Sequence, residues 1–233
     1  PPITLPVSEG TIGEAFSIND AGVVVGRVYD PENRSNGASL VGWKVAVVDG
    51  VANVLDAQTI LSNVIYVTQI ANSGYVSTTV NVSTDPEVFV YRAFRLRLDW
   101  DDENMWMVAG SAMQLFDIHS SATGINEEGT VCGFYNDGGS WAFVTTVDGD
   151  SVDLPELPGG RIRGQPYVIR NSCANALNNA SPLQVVGYGQ VHITTTLEAR
   201  GTPAVLWNVG GSAVDLGSEA STDQLYLYDI NDA

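Results

Sequence analysis

A phrase of six residues recurs along this chain of 233 residues at intervals of 52 to 55 residues. The first three copies are Ser17–Gly22, Gln69–Gly74 and Gly124–Gly129; a fourth is stretched by a short insertion, and a fifth is cut short near the carboxyl end. Each copy has an apolar residue at its second position, and these anchors are Ile18, Ile70, Ile125, Leu177 and Ile230. Self-similarity at such a period is the signature of a repeat architecture.

Each repeat contains further matching parts, all of them short and rich in β-branched and aromatic residues. A Val-rich strand follows the phrase, then a strand that leads into a hairpin, then a closing strand with a leucine. Four short strands per repeat are the size of one propeller blade. The sequence therefore predicts an all-β fold, a single β-propeller over 1–233 with repeat units at about 11–62, 63–117, 118–170 and 171–222 and partial units at 1–10 and 223–233.

The repeated phrase has a local structural role. Its apolar anchor is expected to face the core, and its Asn-Asp pair is expected to form a tight turn whose glycine adopts a positive φ. The glycine that follows the Val-rich run, as in Val23-Val24-Val25-Gly26, suits a close approach between strands.

These motifs resemble the HAF-repeat proteins of bacteria. The x-Ala-Phe positions are Arg92-Ala93-Phe94, Trp141-Ala142-Phe143 and the divergent Pro203-Ala204-Val205, with Asp-Leu closing strands at Asp153-Leu154 and Asp215-Leu216. The histidine that usually precedes Ala-Phe in the family is absent from every copy. The resemblance implies a secreted or cell-surface bacterial β-repeat protein of propeller type, and it supplies no catalytic residues.

The partial units at the two ends allow two interpretations. The chain is expected to be a fragment of a parent with five or more blades. Alternatively, unpaired strand edges at the incomplete blades join neighbouring subunits, because open edges recruit partners.

The charge of the chain excludes some partners. The formal net charge is −17 and Lys44 is the single lysine, which argues against nucleic acid, whose phosphates need Lys and Arg. No apolar run has the length of a membrane-spanning helix, so membrane insertion is not expected. An acidic surface of this kind is expected in an exported protein, extracellular or at the cell surface.

One long hairpin tip in the second repeat combines aromatic and acidic residues. Exposed rings beside acids are typical of glycan-binding surfaces, so Trp100, Asp101, Asp102, Glu103 and Trp106 are the candidate binding residues. The alternative is that Trp100 and Trp106 form a cross-strand pair that stabilises their own hairpin.

Acidic loops also suggest calcium as a possible cofactor. Hard oxygen ligands in loops suit Ca²⁺, and Asp30, Glu32, Asp99 and Asp101 are the candidates, although neither loop follows the Asp-x-Asp-x-Asp-Gly pattern. The alternative is that these acids only solvate the turns in which they occur.

The two cysteines and the lack of catalytic motifs complete the prediction. Cys132 and Cys173 are candidates for a disulfide between adjacent blades, or else are two unrelated buried residues. No serine-hydrolase elbow or zinc-protease motif occurs, so the protein is predicted not to be an enzyme. The expected function is that of an extracellular binding or scaffold module that recognises a protein or a glycan through blade loops. A structural subunit of a surface assembly or filament is the alternative, and a polysaccharide-active enzyme is the third.

Overall fold

The computed structural model of the protein describes residues 4–32, 37–85, 87–101, 106–157, 160–162, 165–194, 201–216 and 226–232. These residues form an all-β fold of antiparallel strands with no helix among them, as the sequence predicts. No helix that could cross a membrane occurs within those ranges. The strands are β1 (Ile12–Ile18), β2 (Val23–Tyr29), β3 (Ala38–Val48), β4 (Val51–Ile70), β5 (Tyr75–Asn81), β6 (Tyr91–Asp101), β7 (Trp106–Ala109), β8 (Met113–Gln114), β9 (Ser120–Ile125), β10 (Val131–Asn136), β11 (Ser140–Thr145), β12 (Ser151–Asp153), β13 (Gly160–Ile162), β14 (Gln165–Leu177), β15 (Gln184–Ile193), β16 (Ala204–Asn208) and β17 (Ala213–Asp215).

The chain divides into two compact units, Pro1–Gly129 and Thr130–Ala233. In the first unit, β1 to β7 follow one another in a single antiparallel sheet, and β8 pairs with β6. Strand β9 lies against β5 and β6, where the Ala93 amide donates to Ser120 Oγ at 3.0 Å and the Ala122 amide donates to Thr79 Oγ1 at 3.2 Å. The single propeller over 1–233 stays a prediction.

Strand β4 continues across the predicted repeat boundary at residues 62 and 63. Its 20 residues include both the closing strand of the first repeat and the opening strand of the second, so no break occurs between 62 and 63. One part of the strand pairs with β3 and the part from Val64 onward pairs with β5. Asn63, between these parts, has a φ of 58°. A left-handed residue within a strand locally bends it, which allows one continuous strand to change its neighbour.

The repeated phrase forms the turn that the sequence predicts. In its first copy, Asn19 Oδ1 accepts a hydrogen bond from the Val23 amide at 2.9 Å, and the Gly22 amide donates to the Asn19 carbonyl at 2.9 Å. Gly22 and its counterpart Gly74 have φ values of 74° and 86°. A Cβ atom at either glycine would collide with a backbone carbonyl of the next hairpin, so these turns require glycine.

Two apolar clusters form the core of the first unit. The larger contains buried Val, Leu and Ile residues of β2 to β6, and the smaller surrounds Trp43. The prediction that each anchor faces the core is correct for Ile70 and Ile125, which are 4% and 1% exposed. It is wrong for Ile18, which is 61% exposed, because β1 is the edge strand of its sheet.

The second unit contains a meander of β10, β11 and β12 and a five-stranded sheet in the order β13 to β17. Its core includes Leu154, Leu177 and Trp207. The Trp207 indole N–H donates to the Pro155 carbonyl at 2.8 Å, as the Trp43 indole donates to the Pro6 carbonyl at 2.8 Å in the first unit. In both cases, the proline follows the leucine of a predicted closing strand. The same hydrogen bond from a tryptophan indole to a proline carbonyl therefore occurs in both units.

A candidate binding cleft in the second unit

The hairpin predicted to bind a ligand consists of β6 and β7. Asp101 pairs with Trp106 in the ladder, whereas Asp102 and Glu103 lie outside the described residues. The Trp100 ring packs against the larger core cluster of the first unit, and the Lys44 ammonium lies 5.2 Å from its centroid. A ring that contacts the core on one side and a cation on another offers little free face for a sugar.

The candidate calcium ligands form contacts of their own. Asp30 Oδ1 accepts a hydrogen bond from the Glu32 amide at 2.8 Å, which makes the local turn that is typical of Asp. Asp99 Oδ1 lies 3.0 Å from Arg97 Nε. Among the described residues, no three His, Cys, Asp or Glu side chains come together in a group that could hold a metal ion.

The structure does not join Cys132 and Cys173, both of which are buried, in the candidate disulfide. Cys132 belongs to the apolar core of the second unit together with Ala174. Successive residues of a strand point to opposite faces, so Cys173 points away from the face that packs with Cys132. The Cys173 Sγ atom instead lies 3.7 Å from Asn175 Oδ1.

A cleft of about 490 Å³ is lined by the β10–β11 hairpin and by strands β14 and β15. Amides, hydroxyls and an aromatic ring line it, and none of its lining side chains carries a formal charge at neutral pH. The lining residues are Phe134, Asn136, Gly139, Ser140, Asn171, Cys173, Tyr188 and Gln190. Its volume is within the range of small-molecule sites, about 300–1,000 Å³.

Asn171 is the central residue of the cleft. It has a φ of 54° and lies in β14 where the register with β15 shifts between Arg170 and Cys173. A bulge of this kind re-aims a side chain, and a left-handed residue other than glycine is uncommon enough to suggest a functional constraint. Asn171 Oδ1 accepts a hydrogen bond from the Ser140 amide at 3.0 Å, and Asn171 Nδ2 donates to Gln190 Oε1 at 3.0 Å. Both ends of the amide are therefore held in place.

The network around Asn171 leaves hydrogen-bonding groups available. Ser140 Oγ donates to Asn136 Oδ1 at 3.2 Å, which orients that amide. Within the described part of the chain, the amide nitrogens of Asn136 and Gln190 have no hydrogen-bond acceptor. The cleft thus presents fixed amide donors beside the hydroxyl groups of Ser140 and Tyr188.

Two titratable groups in the cleft are held in their neutral forms. Burial raises the pKa of the Cys173 thiol to about 12, although a hydrogen bond with Tyr188 acts in the opposite direction. Burial, and then the neighbouring Cys173, raises the pKa of Tyr188 above its usual range. A protonated, buried thiol is a poor nucleophile, so the cleft is suited to hydrogen bonding with a neutral ligand.

No sequence motif marks this cleft. Asn171 and Gln190 lie within long strands, where amides are less common than β-branched residues. An amide residue within a long strand is therefore the sequence signal that could have identified Asn171 and Gln190. The remaining lining residues come from a turn and from four strands, β10, β11, β14 and β15, which the folding of the chain brings together.

Comparison with solved structures gives distant likenesses, two of which are described here. No family model and no curated protein matches the chain. A puromycin-hydrolyzing peptidase of Mycobacterium tuberculosis is 13% identical, with a TM-score of 0.48, over 88% of this chain and 29% of that one. Regucalcin, a calcium-binding protein of Agrobacterium tumefaciens, is 14% identical, with a TM-score of 0.39, over 76% of this chain and 54% of that one. The chain thus spans less than two thirds of the length of either protein.

One prediction has to be corrected on this comparison. The sequence analysis predicted that the protein is not an enzyme, and the likeness to a peptidase structure contradicts that assignment. The exclusion of catalysis rested on missing sequence motifs, and catalytic groups are recognised by geometry and not by sequence position. The assignment is therefore withdrawn, and a likeness at this distance supplies no activity in its place.

Proposed function

We propose that the protein is a binding module that recognises an uncharged glycan in the cleft of the second unit. The observation that supports this proposal is the network around Asn171, with its fixed amide and its two neighbouring amide donors. Glycans present many hydroxyl groups in fixed directions. A set of oriented amides and hydroxyls can bind such groups without the desolvation cost of a buried charge.

The aromatic and neutral character of the cleft supports a glycan over a charged ligand. Phe134 and Tyr188 supply apolar area, which suits the C–H face of a sugar ring. The net charge of −17 also opposes an anionic ligand. A protein partner would need a larger surface than a cleft of about 490 Å³.

The architecture that we propose for this module is a β-propeller with four-stranded blades and a repeat of about 53 residues. The same kind of turn contact occurs within each unit and supports this architecture. The equivalent indole hydrogen bonds of Trp43 and Trp207 support it as well. Membership of the HAF-repeat type and an extracellular or cell-surface location remain part of the same proposal.

The glycan proposal is tested with a panel of uncharged mono- and oligosaccharides measured by array and by calorimetry. The sharpest variant is Gln190→Glu, which removes the amide donor and keeps the Oε1 acceptor for Asn171. Gln58→Glu, on exposed β4 of the first unit, is the matched control because it adds the same charge elsewhere.

We expect at least one neutral glycan to bind and its affinity to fall tenfold or more in Gln190→Glu, with Gln58→Glu unchanged. Such a loss corresponds to about 1.4 kcal/mol, the scale of one hydrogen bond. Absence of binding across the panel, or equal affinity in Gln190→Glu and the parent protein, would overturn the proposal. Capture of a protein through the same cleft would assign the site to the other class of partner.

Calcium binding at Asp30 and Glu32 is a separate and smaller proposal. Both residues are exposed, and they are close in sequence on one loop. Titration of Ca²⁺ into chelator-treated protein should release or absorb heat in the parent and not in the double variant Asp30→Asn/Glu32→Gln. A titration of the parent protein without heat would exclude this loop as a calcium site.

Assembly through the edge strand β1 is the second candidate function. Ile12, Phe16 and Ile18 of this strand are 41%, 44% and 61% exposed, whereas the equivalent Ile70 and Ile125 are buried. An unpaired, apolar edge favours pairing with another chain, and we propose a second copy as its occupant. Light scattering should then show a concentration-dependent dimer that Phe16→Lys abolishes, and a monomer at every concentration would rule this out.

A further inference from the structure

Three tyrosines form a row that begins in the proposed binding cleft. The rings of Tyr188 and Tyr226 meet edge to face with their centroids 4.9 Å apart, and the rings of Tyr226 and Tyr228 follow at 6.1 Å. Tyr188 lines the cleft. Exposure increases along the row, from a half-buried Tyr188 to 37% for Tyr226 and 74% for Tyr228.

Hydrogen bonds hold the segment that carries the outer two rings. Asn175 Nδ2 donates to the Leu227 carbonyl at 2.6 Å, directly between the two tyrosines. Asn179 donates twice to Asp232, from its amide nitrogen Nδ2 at 2.9 Å and from its backbone at 2.6 Å. The segment 226–232 is therefore fixed to the end of β14 at two points, although it forms no strand.

The hydrogen bonds hold the backbone that carries Tyr226 and Tyr228, and the ring contacts restrict the side chains further. Free surface tyrosines retain rotamer freedom, and restricting one in advance of binding removes part of the entropic cost of association. A planar ring with a hydroxyl group at its tip presents apolar area and a hydrogen-bonding group together. This combination matches a sugar residue, which has an apolar C–H face and a rim of hydroxyls.

We propose that this row is an extended subsite for the second and third residues of an oligosaccharide whose first residue occupies the cleft. This inference rests on the proposed glycan-binding function. It adds that the ligand is a chain of at least three sugars and that Tyr228 determines the preference for chain length.

The test is a chain-length series on the full protein. Uncharged gluco-, manno-, xylo-, galacto- and N-acetylglucosamine oligosaccharides of one to four residues are titrated by calorimetry. The variants are Tyr228→Ala and the conservative Tyr228→Phe, which keeps the ring. Tyr66→Ala is the matched control, because Tyr66 is a 51% exposed tyrosine of the first unit.

We expect the affinity of the parent protein to rise at least tenfold from the monosaccharide to the trisaccharide of the preferred series. Tyr228→Ala should abolish the part of that rise between the disaccharide and the trisaccharide and leave the affinity for the monosaccharide unchanged, whereas Tyr228→Phe and Tyr66→Ala should retain the full rise. Equal affinities for one and three residues, or a normal rise in Tyr228→Ala, would overturn the subsite and leave the cleft proposal standing. If no sugar of any length binds, both proposals fail.

Discussion

The backbone amide of Asp20 donates a hydrogen bond to Asn72 Oδ1 at 2.8 Å, and the Asn72 amide nitrogen returns one to Asp20 Oδ2 at 2.8 Å. Both residues occupy the fourth position of the repeated phrase. Glu127 occupies the fourth position of the third copy. It accepts hydrogen bonds from the backbone amides of Asn72 and Ser73 at 2.9 and 2.7 Å. In the second unit, Asn179 contacts Asp232 in the same way. The phrase therefore connects successive turns as well as forming each one.

The reciprocal pair of Asp20 and Asn72 should show a measurable coupling energy. Asp20→Ala and Asn72→Ala each remove the side-chain hydrogen bond, so the double variant should be less destabilised than the sum of the two. We expect a coupling of about 0.5–1 kcal/mol, because both residues are exposed and water competes for the same groups. Urea unfolding of the four proteins measures it. Purely additive effects would show that the pair contributes nothing.

Glu127 should contribute more to stability than its neighbour Glu128. The Glu127 carboxylate accepts two backbone hydrogen bonds, and bonds to a charged group contribute about 1.5–3 kcal/mol to stability. Glu127→Ala is therefore expected to lower the free energy of unfolding by about that amount. Glu128→Ala, at an exposed side chain, should change it by less than about 0.5 kcal/mol. Equal midpoints of urea unfolding for the two variants would contradict this assignment.

Local features of the fold could be predicted from the sequence because their causes are local. The Asn-Asp-x-Gly turn is closed by hydrogen bonds among residues 19–23, and Gly22 has the expected positive φ. The glycine after the Val-rich run was predicted to allow close approach, and a Cβ at Gly26 or Gly187 would collide with the carbonyl of the adjoining strand. The period of the repeat likewise placed β2, β10 and β15 correctly.

The features that could not be predicted depend on which elements become neighbours. The repeat treats Ile18 and Ile70 alike, but β1 is an edge strand, so only Ile70 is buried. Similarly, a repeat gives no reason for the bulge in β14 that aims Asn171 at Gln190. The site around Asn171 is formed where one copy departs from the repeat, so the features that all copies share do not reveal it.

The two cysteines should titrate as free thiols. Both are buried, and the pKa of Cys173 is raised to about 12, so neither should react rapidly with an aromatic disulfide reagent near neutral pH. In guanidinium chloride without a reductant, two thiols per chain should appear. Cys132→Ala provides the control and should leave one. An absence of reactive thiols in the unfolded protein would restore the disulfide.

The folded protein should lose stability between pH 9 and pH 12. Burial raises the pKa of Cys173 from about 9 to about 12, and burial with the nearby Asp153 raises the pKa of Tyr135 from 10 to about 12. Below pH 9 both the folded and the unfolded chain keep these protons, so the groups do not affect the pH dependence. As the pH rises above 9, the unfolded chain releases the Cys173 proton that the folded chain retains, and stability falls by up to about 1.4 kcal/mol per pH unit for this buried thiol. Tyr135 acts in the same direction but contributes less, because solvent screens its largely exposed hydroxyl group.

The contribution of Cys173 to this alkaline loss can be separated from that of the tyrosines. Cys173→Ser places no group that ionises below pH 12 at this position. Between pH 9 and 10 the Cys173 thiol is the first group whose protonation differs between the folded and the unfolded chain. The stability of Cys173→Ser should therefore fall less steeply than that of the parent protein in this range. Urea midpoints at half-unit pH intervals, for the parent and for Cys173→Ser, measure the two slopes. If the slopes coincide from pH 9 to pH 10, the Cys173 thiol is not protected from ionisation by the fold, and the neutral cleft argued for glycan binding loses one of its supports.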